Sequence, residues 1–410
     1  MGVCILCHCL KAIAQDKYTL QKSLQTARNN NPTLKTEQLN ISIAQTGITS
    51  AKLRPNPILN NQTLQLIKHT QLFPNTDWYN TKNRQVWWQL TKPFQTTAQR
   101  TYKIEVATKN VAYTNQYYFE TERNLFAEVS IKWLEVWIAQ KKLDIIQIAK
   151  TNIDSLIIKN QIRYKNEVIT QTDLFRTELL AKQFSIQAKT ASQDVINRLD
   201  ELKLLLGIQE QISVDTRDST LFTIASNIDN LLAQSLQSRS DIQTIKSLIE
   251  VASSNIKLQK SLAFPQPEIG FIWNPQNAIP YFGIFATIEL PIFNRNQGEI
   301  KKSYLLKEQA EKQLFVTQSK IQTEIKVAFA NFQLQQQNLE SFNFLLQQSQ
   351  TILDNVKYAY LKGGTTIVDF LEAQRSWLET QQQYYEANQS YRQSYIQLLY
   401  VTGLINQLAQ

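Results

Sequence analysis

Two aspartates, Asp173 and Asp369, occupy matching places in the chain. Each stands nine residues after a tyrosine (Tyr164, Tyr360) and thirty-four before an isolated glycine (Gly207, Gly403), and the members of every pair lie 196 residues apart. Carboxylates in such positions can do acid–base work in pairs or cap a helix start by accepting from its orphan amides. Little else could do chemistry. The three cysteines, Cys4, Cys7 and Cys9, all fall in "MGVCILCHCLKAIAQ", a short apolar run ending in a small-x-small site at Ala12-Ile13-Ala14. That pattern predicts a signal peptide over residues 1–14, without a lipid anchor because Val3, Leu6 and His8 precede the cysteines. The mature chain then keeps one histidine, His69, and no thiol. Histidine triads, cysteine nucleophiles and the usual zinc sets cannot be assembled from it. With the remaining Asp and Glu scattered as helix-surface charges, the chain reads as neither an enzyme nor a metal or cofactor protein.

The formal net charge is +9, but Lys and Arg are interspersed with Asp and Glu, and no nucleic-acid motif is present. A solvated basic surface is the reading; nucleic acid is not an expected partner.

The 196-residue offset is an internal repeat, and it implies elements that recur with it. The ten prolines leave 94–264 and 292–410 free of proline, so very long helices can run there. In the second stretch Ile321, Ile325, Ala328, Phe332, Gln335, Leu339, Phe342, Leu346, Ser349, Leu353 and Val356 step by alternating fours and threes. This is a coiled-coil seam interrupted by Gln335 and Ser349. A helix over about 295–358, at roughly 1.5 Å per residue, would be about 100 Å long and must pair with partners of similar length. Gly363-Gly364 supplies the reversal, and Val368 onward supplies the returning helix, ended by Gly403. In the first repeat the reversal falls at Lys165-Asn166-Glu167, with Asn166 as the expected left-handed residue.

The proline-rich windows alternate with period two. In "RQVWWQLTKPF" Val86, Trp88 and Leu90 share a face; in "YFGIFATIELP" Phe282, Ile284, Ala286, Ile288 and Leu290 do. Each is preceded by a second candidate strand, from Pro57 and from Pro265, across loops at about 69–83 and 275–279. The organisation predicted is therefore a first repeat over 15–209 (β-hairpin about 57–94, long helices about 95–207) and a second over 210–410 (β-hairpin about 265–292, long helices about 295–403). No run of eighteen apolar residues is present, which excludes a helical membrane span. A strand with one apolar face can pack on a soluble sheet or face lipid in an outer-membrane barrel, and Trp78, Trp87, Trp88 and Trp273 suit either a core or an interfacial girdle. Four strands cannot close a barrel, so spanning strands would need partners from other copies, eight in a dimer or twelve in a trimer.

Three stretches carry a family resemblance over essentially the whole mature chain: "ARNNNPTLKTEQLNISIAQTGITSAKLRPNP" from Ala27, "LPIFNRNQGEIKKS" from Leu290 and "YLKGGTTIVDFLEAQ" from Tyr360, with a weaker echo, "LAQSLQSRSDIQTIKSLIEVASSNIKLQKSLAFPQP", from Leu232. The chain resembles the TolC-type outer-membrane efflux proteins. The resemblance implies an α+β, mostly α fold, forming a homotrimer: a twelve-stranded transmembrane barrel in outer-membrane lipid, continued by an α-helical tunnel through the periplasm of a diderm bacterium. It implies a periplasmic adaptor and an inner-membrane pump as partners. It places Asp173, Asp369 and Glu372 near a periplasmic aperture, together with Thr365, Tyr164 and Tyr360. Threefold symmetry would then turn each carboxylate into a ring, able to filter cations and to latch through mutually raised pKa values. Capping by the two aspartates is compatible with that role, and the tyrosines are packing residues before they are gate residues. Asn166, Glu167, Val168, Lys362, Gly363 and Gly364 would sit at the tips that meet the adaptor, or serve only as turn residues. Two departures stand out. Some members close the aperture through a basic residue at the place of Thr365, which threonine cannot imitate, and the first bend lacks the family's usual glycine.

The expected function is a passive exit duct for efflux. "LPIFNRNQGEI" is most similar to the branch serving heavy-metal cation pumps, while drug exporters share related forms. A duct for protein secretion and a channel-free coiled-coil scaffold are the alternatives; the scaffold leaves the strand windows and the leader unexplained.

Overall fold

A computed structural model describes residues 16–217, 227–275 and 280–409. The expected signal peptide, its cysteines and most of the 275–279 loop lie outside them. In chain order the elements are β1 (Asp16–Tyr18), α1 (Leu20–Asn30), α2 (Pro32–Lys52), β2 (Ile58–Gln65), β3 (Arg84–Pro93), α3 (Thr97–Lys165), α4 (Gln171–Leu206), β4 (Ile212–Val214), α5 (Ile228–Ser238), α6 (Ser240–Leu262), β5 (Glu268–Asn274), β6 (Tyr281–Thr287), α7 (Gln297–Lys362) and α8 (Ile367–Thr402). The mostly helical fold with a β-hairpin and long helices in each half is the one the repeat implies. The chain falls into two compact units, each drawing on both halves of the sequence: residues 1–37, 118–240 and 318–410 form the first, and 38–117 with 241–317 the second.

The second unit holds an antiparallel sheet in the order β2-β3-β5-β6. Its register aligns apolar side chains strand by strand: Leu59 pairs with Leu90, Leu90 with Phe271, and Phe271 with Ile284. All four are exposed, at 64%, 47%, 48% and 70%. The next row on the same face runs Asn61, Trp88, Trp273 and Phe282, whereas the opposite face carries Asn60, Gln89, Ile272 and Gly283. Trp87 pairs with Gln62 and so sits on the opposite face from Trp88 and Trp273. A row of large apolar side chains left open on one sheet face is the inverse of a soluble sheet's arrangement. The outer edges of β2 and β6 have no strand partner among the described residues.

In the first unit the seam of α7 behaves as its spacing predicts. Ile321, Ile325, Ala328 and Leu353 are buried, the other seam positions to Val356 are half-buried, and nearly every position between them is exposed. Two features were not anticipated. The short strands β1 and β4 pair in parallel over a core of Leu24, Phe126, Trp133 and Leu202, with the Trp133 indole donating to the Tyr18 carbonyl at 2.9 Å. The segments leading to each hairpin are also not single helices. They break between α1 and α2 at Asn31 and between α5 and α6 at Arg239, and each breaking residue turns its side chain to the end of a long helix: Asn31 Nδ2 donates to Leu205 O at 2.8 Å and an Arg239 Nη to Val401 O at 2.6 Å. Leu205 and Val401 are themselves 196 residues apart, so the two breaks are equivalent devices for occupying orphan carbonyls.

Candidate functional site: the two helical bends

The α3–α4 and α7–α8 bends are superposable in their hydrogen bonds. At the first, Glu167 N donates to Tyr164 O at 2.9 Å and Val168 N to Arg163 O at 2.8 Å; at the second, Gly363 N donates to Tyr360 O at 3.1 Å and Gly364 N to Ala359 O at 2.8 Å. This double closure is the Schellman motif, which needs a left-handed residue just past the helix. That residue is Gly363 (φ 80°) in the second bend and Glu167 (φ 58°) in the first. The expectation of Asn166 is therefore corrected by one position: Asn166 N still bonds Ile162 O at 3.1 Å, a helical bond, so the reversal cannot begin there. Glu167 stands where the repeat places a glycine.

The returning helices start alike as well. Thr170 and Thr366 are the N-caps, so α8 begins at Ile367, one residue before the start expected at Val368. Asp173 N donates to Thr170 Oγ1 at 3.1 Å, and the Thr170 N–H and hydroxyl donate back to Asp173 Oδ2 at 3.3 and 2.8 Å. Asp369 N donates to Thr366 Oγ1 at 3.2 Å, and Asp369 Oδ2 accepts from Thr366 N at 3.1 Å and Thr366 Oγ1 at 2.6 Å. Both aspartates thus close a capping box from the third helical position instead of being the cap themselves. Asp369 Oδ2 also accepts from Thr365 Oγ1 at 2.7 Å. The Thr366 and Thr365 hydroxyls and the Thr366 amide hold its carboxyl below the usual aspartate range. Within one chain the direction is thus opposite to the mutual raising expected of a ring.

The tyrosines diverge. Tyr164 is 40% exposed and Tyr360 is 3% exposed. Tyr360 stacks on Phe370 with ring centres 5.5 Å apart, and the Arg163 guanidinium lies 4.6 Å from its ring centre. Its hydroxyl donates to Asn160 Oδ1 at 2.8 Å, while Asn160 Nδ2 donates to Thr177 Oγ1 at 3.0 Å. Burial pushes the Tyr360 phenol up. Asn160 is wholly buried, so this chain of bonds is a polar link between the two bends inside an apolar cluster that includes Ile153, Leu180, Phe184 and Trp377. Sequence reasoning missed Asn160, Arg163 and Thr177. The signal was available: Asn160 continues the four-and-three spacing of Ala149, Ile153 and Leu156. Of the other expected residues, Glu372, Asn166, Val168, Lys362 and Gly364 are exposed and Thr365 half-buried. Among the described residues no group of His, Cys, Asp and Glu is placed to hold a metal ion, and no helix is long and apolar enough to cross a membrane.

Residues 231–404 match the family model described as outer membrane efflux protein. The match takes in most of the second repeat, including the α7–α8 bend, and covers less than half of the chain. Among the chain's curated relatives is the pyoverdine export outer membrane protein OpmQ of Pseudomonas putida, 23% identical over 282 residues. The match covers 63% of this chain and 57% of OpmQ, so it spans somewhat over half the length of that relative. The fold is similar to solved CusC, with a TM-score of 0.77, 17% identity, and coverage of 95% of this chain and 92% of CusC. It is similar also to the open state of the MtrE outer membrane channel of Neisseria gonorrhoeae, with a TM-score of 0.74, 15% identity, and coverage of 95% and 90%. These likenesses establish the TolC-type fold for this chain, whose bends carry their own caps and their own buried link.

Proposed function

We propose that this chain is an outer membrane efflux channel acting as a homotrimer: three four-stranded sheets close a twelve-stranded barrel in the outer membrane, and the helices conduct exported solutes from the periplasm. The observation that supports the reading is the sheet, which exposes large apolar side chains along one face and leaves β2 and β6 without a strand partner at its edges among the described residues. Unpaired edges cannot stand in lipid, because each orphan backbone group costs several kcal/mol there, and closure against identical copies removes them. A channel-free scaffold would have no use for that face.

The bends are the proposed aperture, with Asp173, Asp369 and Glu372 contributing rings of carboxylate and Thr365, Tyr164 and Tyr360 nearby. The exposed tips at Asn166, Glu167, Val168, Lys362, Gly363 and Gly364 are the proposed adaptor contacts, and an inner-membrane pump would supply the energy. The cargo is a small solute; the pyoverdine export in one relative's name and the cation branch suggested by "LPIFNRNQGEI" give the first compounds to try.

The test is extraction and conductance. The protein should require detergent, run as a trimer by native mass spectrometry, and conduct ions in a planar bilayer. A water-soluble monomer without conductance would refute the reading.

A further inference from the structure

At the helix end of the sheet, the segment just past α2, the foot of β3 and the first turn of α3 enclose a cavity of about 310 Å³. Three cations line it, Arg54, Lys92 and Arg100, together with the hydroxyl residues Thr96, Thr97 and Thr101. None of its lining residues is a carboxylate. Lys92 Nζ donates to Pro55 O, and Arg100 donates through Nε and Nη2 to Lys52 O at 3.3 and 3.2 Å. These bonds hold two of the cations over the cavity without neutralising them, since both acceptors are uncharged carbonyls. Arg54 makes no hydrogen bond or ion pair with any described residue. Thr96 caps α3 by accepting from Gln99 N at 3.2 Å, which leaves the amides of Thr97 and Ala98 without intrahelical acceptors at the positive end of the helix.

The cavity's place on the sheet decides what it fits. Side chains two apart on a strand share a face, so Lys92 continues the column Val86, Trp88, Leu90. The outward apolar face therefore ends, one step past Leu90, in a cluster of three positive charges. An acyl chain lying on that face would bring its headgroup phosphate to the cluster. Free phosphate would satisfy the charges but make no use of the column.

We propose that this cavity binds the phosphodiester of a glycerophospholipid from the periplasmic leaflet, one per chain, with its acyl chains along the Val86–Trp88–Leu90 column. The inference rests on the outer-membrane reading above and adds a defined lipid site to it. Phosphate oxygens accept from Arg54, Arg100 and Lys92, with the first-turn amides of α3 behind them. The site fixes how deep the sheet sits, because it pins the boundary between apolar face and headgroup layer.

The experiment titrates the delipidated, detergent-solubilised protein with phosphatidylglycerol under native mass spectrometry, with diacylglycerol of the same chain length and inorganic phosphate as controls. One phosphatidylglycerol per chain should saturate. Arg54→Gln should weaken it about fivefold and Arg54→Gln/Lys92→Gln/Arg100→Gln on the order of a hundredfold, from about 1 kcal/mol per basic residue near an anionic surface. Equal retention by wild type and variants would overturn the site. So would binding of diacylglycerol with the same stoichiometry, or displacement of the lipid by millimolar phosphate, which would mark the cluster as a simple anion site. Should the triple variant fail to assemble, Arg54→Gln decides alone, since Arg54 braces nothing in the fold. Failure of the outer-membrane reading looks different: the wild type would then leave the membrane fraction without detergent, before any lipid is added.

Discussion

Glu167 and Gly363 occupy the same turn with the same hydrogen bonds, and exchanging their side-chain character tests whether the bends are equivalent in energy as well as in geometry. A residue with a Cβ pays about 1–2 kcal/mol in the left-handed region, and Glu167 sits there at φ 58°. Glu167→Gly removes that cost but loosens the unfolded chain by about 0.5–1 kcal/mol. The net expectation is a bend more stable by about 0.5–1 kcal/mol. Gly363→Ala is the mirror experiment. A Cβ built at Gly363 meets no atom within 4 Å, so no clash adds to the backbone term, and the bend should weaken by about the same 0.5–1 kcal/mol. Amide hydrogen exchange reads this locally, because the Val168 and Gly364 N–H groups close the two motifs. Glu167→Gly should slow exchange at Val168 about two- to fivefold, and Gly363→Ala should speed it at Gly364 by a similar factor. Shifts in the same direction, or faster exchange at Val168, would refute the strain argument and leave Glu167 held by contacts its backbone does not reveal.

Four further outcomes follow from the same geometry. A Cβ at Gly207 would lie 2.5 Å from the Asn30 carbonyl oxygen, a backbone clash, whereas one at Gly403 would meet Arg239 at 3.0 Å from Cγ and at an ordinary 3.6 Å from Cα. Gly207→Ala should therefore lower thermal stability distinctly more than Gly403→Ala, although both residues have positive φ. Asn160→Ala strands the Tyr360 hydroxyl in an apolar cluster, while the Thr177 hydroxyl keeps its bond to the Asp173 carbonyl at 3.0 Å; it should cost about 1–3 kcal/mol by denaturant unfolding, with much of the loss recovered on adding Tyr360→Phe. Because the folded-state pKa of Asp369 is depressed, the stability its ionised form contributes is fully present above the unfolded value near pH 4 and is lost only as pH falls through the lower folded value. Exchange protection at the start of α8 should thus be flat from pH 8 to 5, and a fall within that window would contradict the capping assignment. Ile284→Lys places a charge in the exposed apolar row and should impair membrane assembly by about 2–4 kcal/mol if that row faces mid-bilayer lipid, while Gln89→Lys on the opposite face should be tolerated; equal effects would mean the faces are assigned wrongly.

What the sequence disclosed and what it withheld divide along physical lines. The α7 seam, the two proline-bounded hairpins and the Gly207 and Gly403 helix ends were legible because each depends on a local pattern: period, ring constraint or positive φ. Asparagine visits the left-handed region more readily than glutamate, which points to Asn166; the helix runs on through Asn166 and its Schellman closure puts the left-handed residue at Glu167, with the 196-residue offset as the better guide. Asp173 and Asp369 read as capping residues by type, but their place as the third-position half of a capping box depends on Thr170 and Thr366 in front of them. The β1–β4 pairing was hidden since three-residue strands carry too little alternation to read, and its register depends on a core assembled from Trp133 and Leu202. Arg239 and Asn31 were invisible as a pair because their shared task, closing carbonyls of distant helices, leaves no mark on either residue's own neighbourhood.

The duplication itself is kept in backbone and broken in side chains, and the break is what sets the two bends apart. Both bends keep the closure, the threonine cap and the aspartate three residues on. Only the second buries its tyrosine. Tyr360 reaches across to Asn160 of the first repeat, and through Asn160 to Thr177 beside Asp173, whereas Tyr164 remains 40% exposed. A ring built from three such chains would present six nearly equal bends, but only three of them would carry this tie. Each bend of the α7–α8 type would be held to its own chain's α3–α4 bend by one buried polar link, and freed from it by breaking a single hydrogen bond whose partners lose solvent compensation. An aperture of this kind has an inherent threefold bias: the untied tyrosine of the first bend is available to a neighbouring chain, and the tied one is not. Cysteine pairs engineered between adjacent protomers at Tyr164 should therefore crosslink more readily than pairs at Tyr360, and the difference should vanish in Asn160→Ala if the link is what sets the two bends apart.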